Sequence, residues 1–453
     1  MTTRRDFLKQ SAIVAAGTLI MPSAFNVNAG VKPKVIVIGA GFAGLAAAYR
    51  LKQKGCEVTI LEARSRIGGR VFSHVMDKGE DLVIELGAEW VGASHERMIE
   101  LCSEFKLELM NNQFDSHLTY GGEYSPKGMW DYSNEWKAKF NKLLSDYSSY
   151  TEEDKKRLDN MDWWRFLVNN GIPEKDLELR DLLDSTDFGE CIRHVSAYAA
   201  FAEYAESSEK NEMDFKIKGG NSRFSEILAE KIGMQNILLK HKVTEVNQTD
   251  GTVTVRCDNG MSFSGDNLIC TIPTYSVSKI NWNPGLPKEK IEAINALQYA
   301  RINKNAFLFN ERFWPEEAFD MVTDVYGHYF YHATKNQPGK KGVLISYTIG
   351  DKADVISRQN EEFRTSVVTN SLNPGFGNVR DKITSQVNYF WGADEFTKGA
   401  YALYGVGQWF TIMPILKKKF MSTFFAGEHL ADWQGFMEGA IVTGEEAADE
   451  ITG

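Results

Sequence analysis

Four consecutive β-branched residues, Val35–Ile38, lead straight into Gly39-Ala40-Gly41-Phe42-Ala43-Gly44. No other junction restricts the fold of this chain so tightly. An unbroken apolar run of that length suits a strand buried on both faces, as in a parallel sheet. The G-x-G-x-x-G beyond it has one task per glycine. Gly39 permits the tight turn, Gly41 lets the backbone approach a pyrophosphate, and Gly44 lets helix and strand pack closely. The Ala-rich segment after it predicts a helix to about Lys54, stopped by Gly55, and a second strand, Val58–Leu61, that ends on Glu62. Free N–H groups at the helix N-terminus meet phosphate charge, and an acid in the place of Glu62 accepts hydrogen bonds from an adenosine ribose.

The residues just after this acid narrow the cofactor. Glu62-Ala63-Arg64-Ser65-Arg66 runs into Gly68-Gly69-Arg70, a second glycine turn backed by an arginine. This E-A-R-x-R-x-G-G-R run resembles the flavin amine oxidase family, the monoamine and polyamine oxidases and more distantly the L-amino-acid oxidases. The resemblance implies that Ala63, Arg64 and Gly69 lie along the FAD diphosphate. It also implies that Arg70 neutralises that diphosphate, a role suited to guanidinium geometry. Leu82–Gly92 resembles the family segment whose backbone passes beside the isoalloxazine ring, with Gly87, Ala88, Glu89 and Trp90 in contact with it. Val243 falls where the family places an adenine-side backbone contact. Gly427-Glu428 through Ala440 resembles the second FAD signature, which implies cofactor contacts from Glu428 and Met437.

Lys304 is the sharpest catalytic candidate. Period-two alternation puts Ile302, Lys304, Ala306 and Leu308 on one face of a strand. A lysine among apolar neighbours is costly unless it is paired or its pKa falls. The resemblance implies a lysine linked through water to flavin N5, and the alternative is an edge-strand lysine whose head reaches solvent. The same resemblance puts Tyr401 and Phe436 in front of the flavin as walls of an amine slot, with Trp391 and Trp433 nearby. Phe436 departs from the usual tyrosine and makes its wall purely apolar. Ala400 stands where mammalian monoamine oxidases carry the cysteine that bonds the flavin, so FAD is expected to be non-covalent. No arginine follows Gly87-Ala88-Glu89-Trp90 in the position where L-amino-acid oxidases bind a carboxylate, which favours an amine without one. Glu89 offers a charge for a cationic group, although the family uses this position through its backbone.

The expected function is therefore FAD-dependent oxidation of an amine C–N bond by hydride transfer to flavin N5, giving an imine and then an aldehyde or ketone. Oxygen or a redox protein would take the electrons. Three alternatives stay open. An L-amino-acid oxidase would draw an arginine such as Arg165 or Arg193 from the helical region. A flavin desaturase or isomerase would act on a non-amine, and a flavin-binding interaction protein would show no turnover.

At 453 residues the chain exceeds one compact core. The expected fold class is α/β: a Rossmann-like, glutathione reductase-like FAD-binding domain with a mixed α+β substrate domain, both discontinuous. Residues 32–110, 216–280 and 415–453 are assigned to the first, and 111–215 and 281–414 to the second. Within 111–215, aromatics and charges at helical spacing predict a helical insertion with few strands. A net charge of −10 argues against nucleic acid as a partner and suits a small cationic substrate. Cys56, Cys102, Cys191, Cys257 and Cys270 show no C-x-x-C spacing and the histidines no metal-binding cluster, so neither disulfides nor metal are expected. Thr3-Arg4-Arg5-Asp6-Phe7-Leu8-Lys9, followed by a short apolar stretch, resembles a twin-arginine export signal over residues 1–29, which implies a periplasmic enzyme. A homodimer is compatible with all of this.

Overall fold

The computed structural model describes residues 32–249, 251–432 and 434–453. The expected export signal and Trp433 lie outside the described residues. Among those described, no helix is long and apolar enough to cross a membrane.

A five-stranded parallel sheet is ordered Thr423–Phe425, Asn267–Cys270, Lys34–Ile38, Glu57–Glu62, Ile237–Leu239. Its strands come from four separate stretches of chain, so the unit that carries the first glycine loop closes only when the C-terminus returns. Lys34–Ile38 sits at the centre, and four of its five residues are buried, as the apolar run requires. Helix Phe42–Gln53 follows at once and packs along the C-terminal helix Met437–Thr452. Small residues make that approach possible: a Cβ on Gly444 would stand 2.2 Å from the carbonyl oxygen of Ala43.

A four-stranded sheet, ordered Ser262–Gly265, Thr252–Cys257, Val243–Thr249, Asn281–Asn283, flanks this unit. It takes in Asn281–Asn283, three residues beyond the expected boundary at 280.

The second large sheet has seven strands, ordered Ile383–Phe390, Ile302–Phe309, Gly342–Ile349, Tyr329–His332, Phe319–Thr323, Asp115–Tyr120, Glu123–Ser125. All pairings are antiparallel except Phe319–Thr323 with Asp115–Tyr120. The few strands in 111–215 gather at its start. Asp115–Tyr120 pairs in parallel with Phe319–Thr323, about two hundred residues away, and antiparallel with Glu123–Ser125 across the two-residue turn Gly121-Gly122, a local hairpin signal that the sequence reading passed over. From Asn134 onward the segment is helical as expected, with helices Asn134–Asp146, Glu152–Asp159, Trp163–Asn169, Glu174–Phe188 and Ala197–Glu206. Trp163 forms their core, stacked on Phe166 at 5.0 Å, while Trp164 lies half-exposed beneath Arg165 and Arg193. All five cysteines are unbridged.

Candidate active site

The two glycine loops touch. Gly41 bridges to Gly68, and a Cβ built on Gly41 would meet only the Cα of Gly69, at 3.9 Å. Gly41 caps helix Phe42–Gln53 without a side-chain hydrogen bond, and no acid occupies the first turn. The helix therefore presents uncompensated N–H groups, an arrangement that favours an anion. Gly44 plays a different part: its Cβ would stand 1.9 Å from the carbonyl oxygen of Gly39, and it does not line the cavity. It is a packing glycine, not a cofactor contact. Glu62 accepts from Ala40 N at 2.7 Å and from Arg64 N at 2.8 Å, which locks the end of the second strand to the first loop.

The arginines divide the remaining work. Arg66 donates to the carbonyls of Ile67, Gly69 and Val71, and so holds the second glycine turn in shape. Arg64 forks onto Asp394, with contacts of 2.9 and 2.6 Å. Burial alone would raise that carboxyl, and the guanidinium instead holds it far below the usual carboxylate range. Arg70 lies 2.6 Å from Glu428, a pair that joins the N-terminal motif to the C-terminal signature. Glu428 also accepts from Ala402 N at 2.7 Å.

Lys304 sits on the second strand of the seven-stranded sheet, between Gly342–Ile349 and the edge strand Ile383–Phe390, and is 3% exposed. The edge-strand alternative is excluded. Its Nζ donates to Gly87 O at 2.8 Å, Glu85 O at 3.1 Å and Glu89 Oε2 at 3.3 Å. Burial lowers its pKa, and Glu89 opposes the shift. The charge of Glu89 is consumed within the protein: Lys304 and Tyr331 OH (2.5 Å) share Oε2, and Lys216 Nζ lies 3.8 Å from Oε1. It is thus not a magnet for a cationic ligand, and the expectation that it offers one is corrected. Sequence reasoning missed Lys216 and Tyr331, which come from distant strands and bear no motif. Gly87 has no room for a side chain, since its Cβ would stand 2.1 Å from Arg70 O. Next to it, Ala88 N donates to that same oxygen at 3.1 Å.

Tyr401 and Phe436 both face the cavity. The ring of Tyr401 rests on Gly435, and its hydroxyl donates to the carbonyl of Asp187, one of the carbonyls left free in the last turn of helix Glu174–Phe188. Phe436 packs on the imidazole of His95 at 4.9 Å, and burial pushes that imidazole down to about 3. Trp391 donates Nε1 to Leu86 O at 2.8 Å and lies against Tyr389.

These groups surround one cavity of about 720 Å³. From the N-terminal motif, Gly39, Gly41, Ala43, Glu62, Ala63, Arg64, Gly69 and Arg70 line it, as does Val243. Gly87, Ala88, Glu89 and Trp90 line it too, with Glu428 and Met437 from the C-terminal signature. Lys304, Trp391, Tyr401 and Phe436 belong to the same wall. Every cofactor or catalytic candidate among the described residues is on that wall, Gly44 excepted. Arg165 and Arg193 are exposed and do not line it. The wall fits FAD: the open glycine loop at the uncapped, acid-free N-terminus of helix Phe42–Gln53 suits a diphosphate, and the same cavity includes Lys304 and an aromatic slot. Ala400 lines the slot and offers no atom for a bond to flavin.

The flavin-containing amine oxidoreductase family matches residues 42–452. Polyamine oxidase 4 of Oryza sativa subsp. japonica is 28% identical over 96% of this chain and 91% of its own. The flavin-containing amine oxidase A of Canis lupus familiaris is 25% identical over 92% of this chain and 84% of its own. Among solved structures, cyclohexylamine oxidase from Brevibacterium oxydans shares the fold, with a TM-score of 0.83, 21% identity and coverage of 93% and 99%. The chain belongs to the flavin-containing amine oxidoreductase family, and it is an FAD-dependent enzyme that oxidises amines.

Proposed function

We propose that the enzyme removes a hydride from the carbon beside a neutral amine nitrogen, with the residues around Lys304 and Tyr401 as its reacting centre. The observation that carries this reading is the convergence of a buried lysine and an aromatic slot on one cavity with both glycine-led ends of the chain. Bound FAD, held non-covalently, supplies a two-electron acceptor.

The protein's own residues prepare the substrate. Tyr401 and Phe436 orient the amine between their faces, and exclusion of water from the slot favours its uncharged form, whose lone pair supports loss of hydride. The hydroxyl of Tyr401 is tied to Asp187 O, which fixes the ring and turns its face toward the slot. Holding the amine in one orientation contributes to rate as an effective concentration. Lys304 Nζ, anchored on Glu85 O, Gly87 O and Glu89, holds its protons at the cavity wall. The imine product leaves and is hydrolysed by water to an aldehyde or ketone plus ammonia or a smaller amine. Oxygen, yielding hydrogen peroxide, or a redox protein removes the electrons. The twin-arginine-like N-terminus supports export of the folded enzyme to the periplasm.

Arg165 and Arg193, the two arginines named for an amino-acid carboxylate, are exposed and do not line the cavity, which supports an amine without a carboxylate. Anaerobic mixing of FAD-loaded enzyme with amines and with L-amino acids tests the reading. Bleaching of the flavin by amines is expected, and bleaching by amino acids alone would overturn it.

A further inference from the structure

Lys216 is a buried cation with no part in the chemistry described above. It lies in strand Phe215–Ile217, is 5% exposed, and does not line the cavity. Its Nζ donates to Ala333 O at 2.7 Å and stands 3.8 Å from Glu89 Oε1. That oxygen has no hydrogen-bond partner among the described residues. The other carboxylate oxygen, Oε2, already carries Lys304 and Tyr331. Glu89 therefore stands between two buried lysines, of which only Lys304 reaches the cavity.

The surroundings leave this pair of cations one anion short. Glu85, the second acid of the cluster, is 3% exposed and accepts only from uncharged donors, Ser73 Oγ and Asn221 N. Burial pushes its carboxyl up to about 7, so below neutral pH it holds a proton and adds no charge. Tyr331 and Tyr347 face Lys304 from neighbouring strands, and burial raises both phenols, so neither becomes an anion. Tyr389, opposite Lys304 on Ile383–Phe390, gives its hydroxyl to Asp394, which Arg64 neutralises. Glu317 and Lys335, which also act on Lys216 or feel it, carry opposite charges, and burial holds His332 neutral. Lys304 and Glu89 alone would be a balanced pair. Lys216 supplies the excess.

Resting on the amine-oxidising reading, we propose that Lys216 is a positioning residue for the reaction: acting through Glu89, it leaves an unbalanced positive charge at Lys304 that receives the negative charge delivered to FAD. A hydride leaving the carbon of a neutral amine takes two electrons and one proton with it. The amine becomes a cationic imine, and the cofactor gains one negative charge. A balanced ion pair gives little field at that point, whereas a buried cluster with one cation in excess favours the new charge. An excess cation is costly while the cofactor is oxidised. That cost is relieved when the hydride arrives. Lys304 acts at the cavity wall, and Lys216 acts one residue behind it.

The test is the reduction potential of FAD in the holoenzyme at pH 6, read by equilibration with a redox dye, together with anaerobic reduction by a panel of amines. A single charge at close range shifts a charge-forming equilibrium by about tenfold, which is about 30 mV for a two-electron couple. Lys216→Met should lower the potential by that amount and slow the limiting rate of flavin reduction, with amine Kd unchanged. Lys216→Arg keeps the charge and should return the potential toward wild type, which a packing role does not predict. An unchanged potential in Lys216→Met, or one as low in Lys216→Arg, overturns the proposal and leaves amine oxidation standing. Failure of every amine to bleach the wild-type flavin removes the amine reading itself, and this proposal with it. Should the Lys216 variants fail to take up FAD, Glu85→Gln decides. It deletes an anion present only above about pH 7, so its potential should match wild type at pH 6 and exceed it at pH 8. Equal potentials at both pH values overturn the charge count.

Discussion

Replacing Gly41 and Gly44 separately by alanine discriminates a glycine that serves the cofactor from one that serves the fold. The two are three residues apart in one motif, yet their surroundings differ completely. A Cβ on Gly44 would sit 1.9 Å from Gly39 O and 2.9 Å from Thr271 Oγ1, where ordinary contact begins at 3.4 Å. The helix must therefore retreat by more than 1 Å from a strand buried in the parallel sheet. Overpacking of that kind costs about 3 kcal/mol, which lowers the melting temperature of the apoprotein by roughly 5 °C. A Cβ on Gly41 meets nothing nearer than 3.9 Å, and its φ of −76° suits any residue. Gly41→Ala should thus change apoprotein stability by no more than about 1 kcal/mol, the scale of an N-cap substitution. Its methyl group instead projects into the cavity, at the helix N-terminus that faces the diphosphate. Displacing a phosphate from two charge-assisted hydrogen bonds costs about 3 kcal/mol, or about a hundredfold in FAD affinity. The assay is a thermal melt of each apoprotein followed by titration with FAD, monitored by flavin fluorescence. Uptake of FAD by Gly41→Ala as tightly as by wild type, or an unchanged melt for Gly44→Ala, would refute this division of labour.

Lys304→Met should retain FAD but slow flavin reduction or reoxidation by about tenfold or more, read by stopped-flow absorbance. It should also lower stability by about 3 kcal/mol, because Glu89 loses one of its two lysines, and Glu89→Gln in the same chain should recover stability without recovering rate. Asp184→Asn should destabilise by about 3–5 kcal/mol in chemical denaturation, since Arg180 is left buried among Tyr132, Phe140 and Tyr204 without its anion. Asp320→Asn carries a pH signature. Burial raises the folded-state pKa of Asp320 to about 7, so the folded protein holds a proton between about pH 4 and 7 that the unfolded chain has released. This group's contribution is most favourable below its unfolded pKa and declines as pH rises to about 7. The stability of Asp320→Asn relative to wild type should therefore increase from pH 4 to 7 and level off above, and a flat difference across that range contradicts the assignment.

Much of the FAD-side wall was legible because each of its motifs is local. Val35–Glu62 carries strand, loop, helix and acid within one stretch, and Gly427–Ala440 does the same at the other end. Lys304 was legible by a different route, as a charge on the buried face of an alternating strand. The substrate side was not. Asp187 and Asp320, both on the cavity wall, lie on a helix and a strand 133 positions apart in the numbering, and neither sits in a pattern of spacing. Nothing local distinguishes Asp187 from Asp184, although Arg180 neutralises only the latter. The partners of Glu89 were hidden for the same reason, because Lys216, Lys304 and Tyr331 meet it only once three strands are in register. Sequence pattern reveals charge at a position; the fold decides which partners that charge meets.

Everything proposed for this enzyme depends on what occupies the cavity between the two ends of the chain. Apoprotein titrated with FAD in one cuvette, then made anaerobic and given amines in turn, addresses it directly. One FAD per chain should bind and its visible absorption should then disappear. A protein that takes up no FAD, or takes it up at a site that Gly41→Ala does not affect, contradicts that assignment.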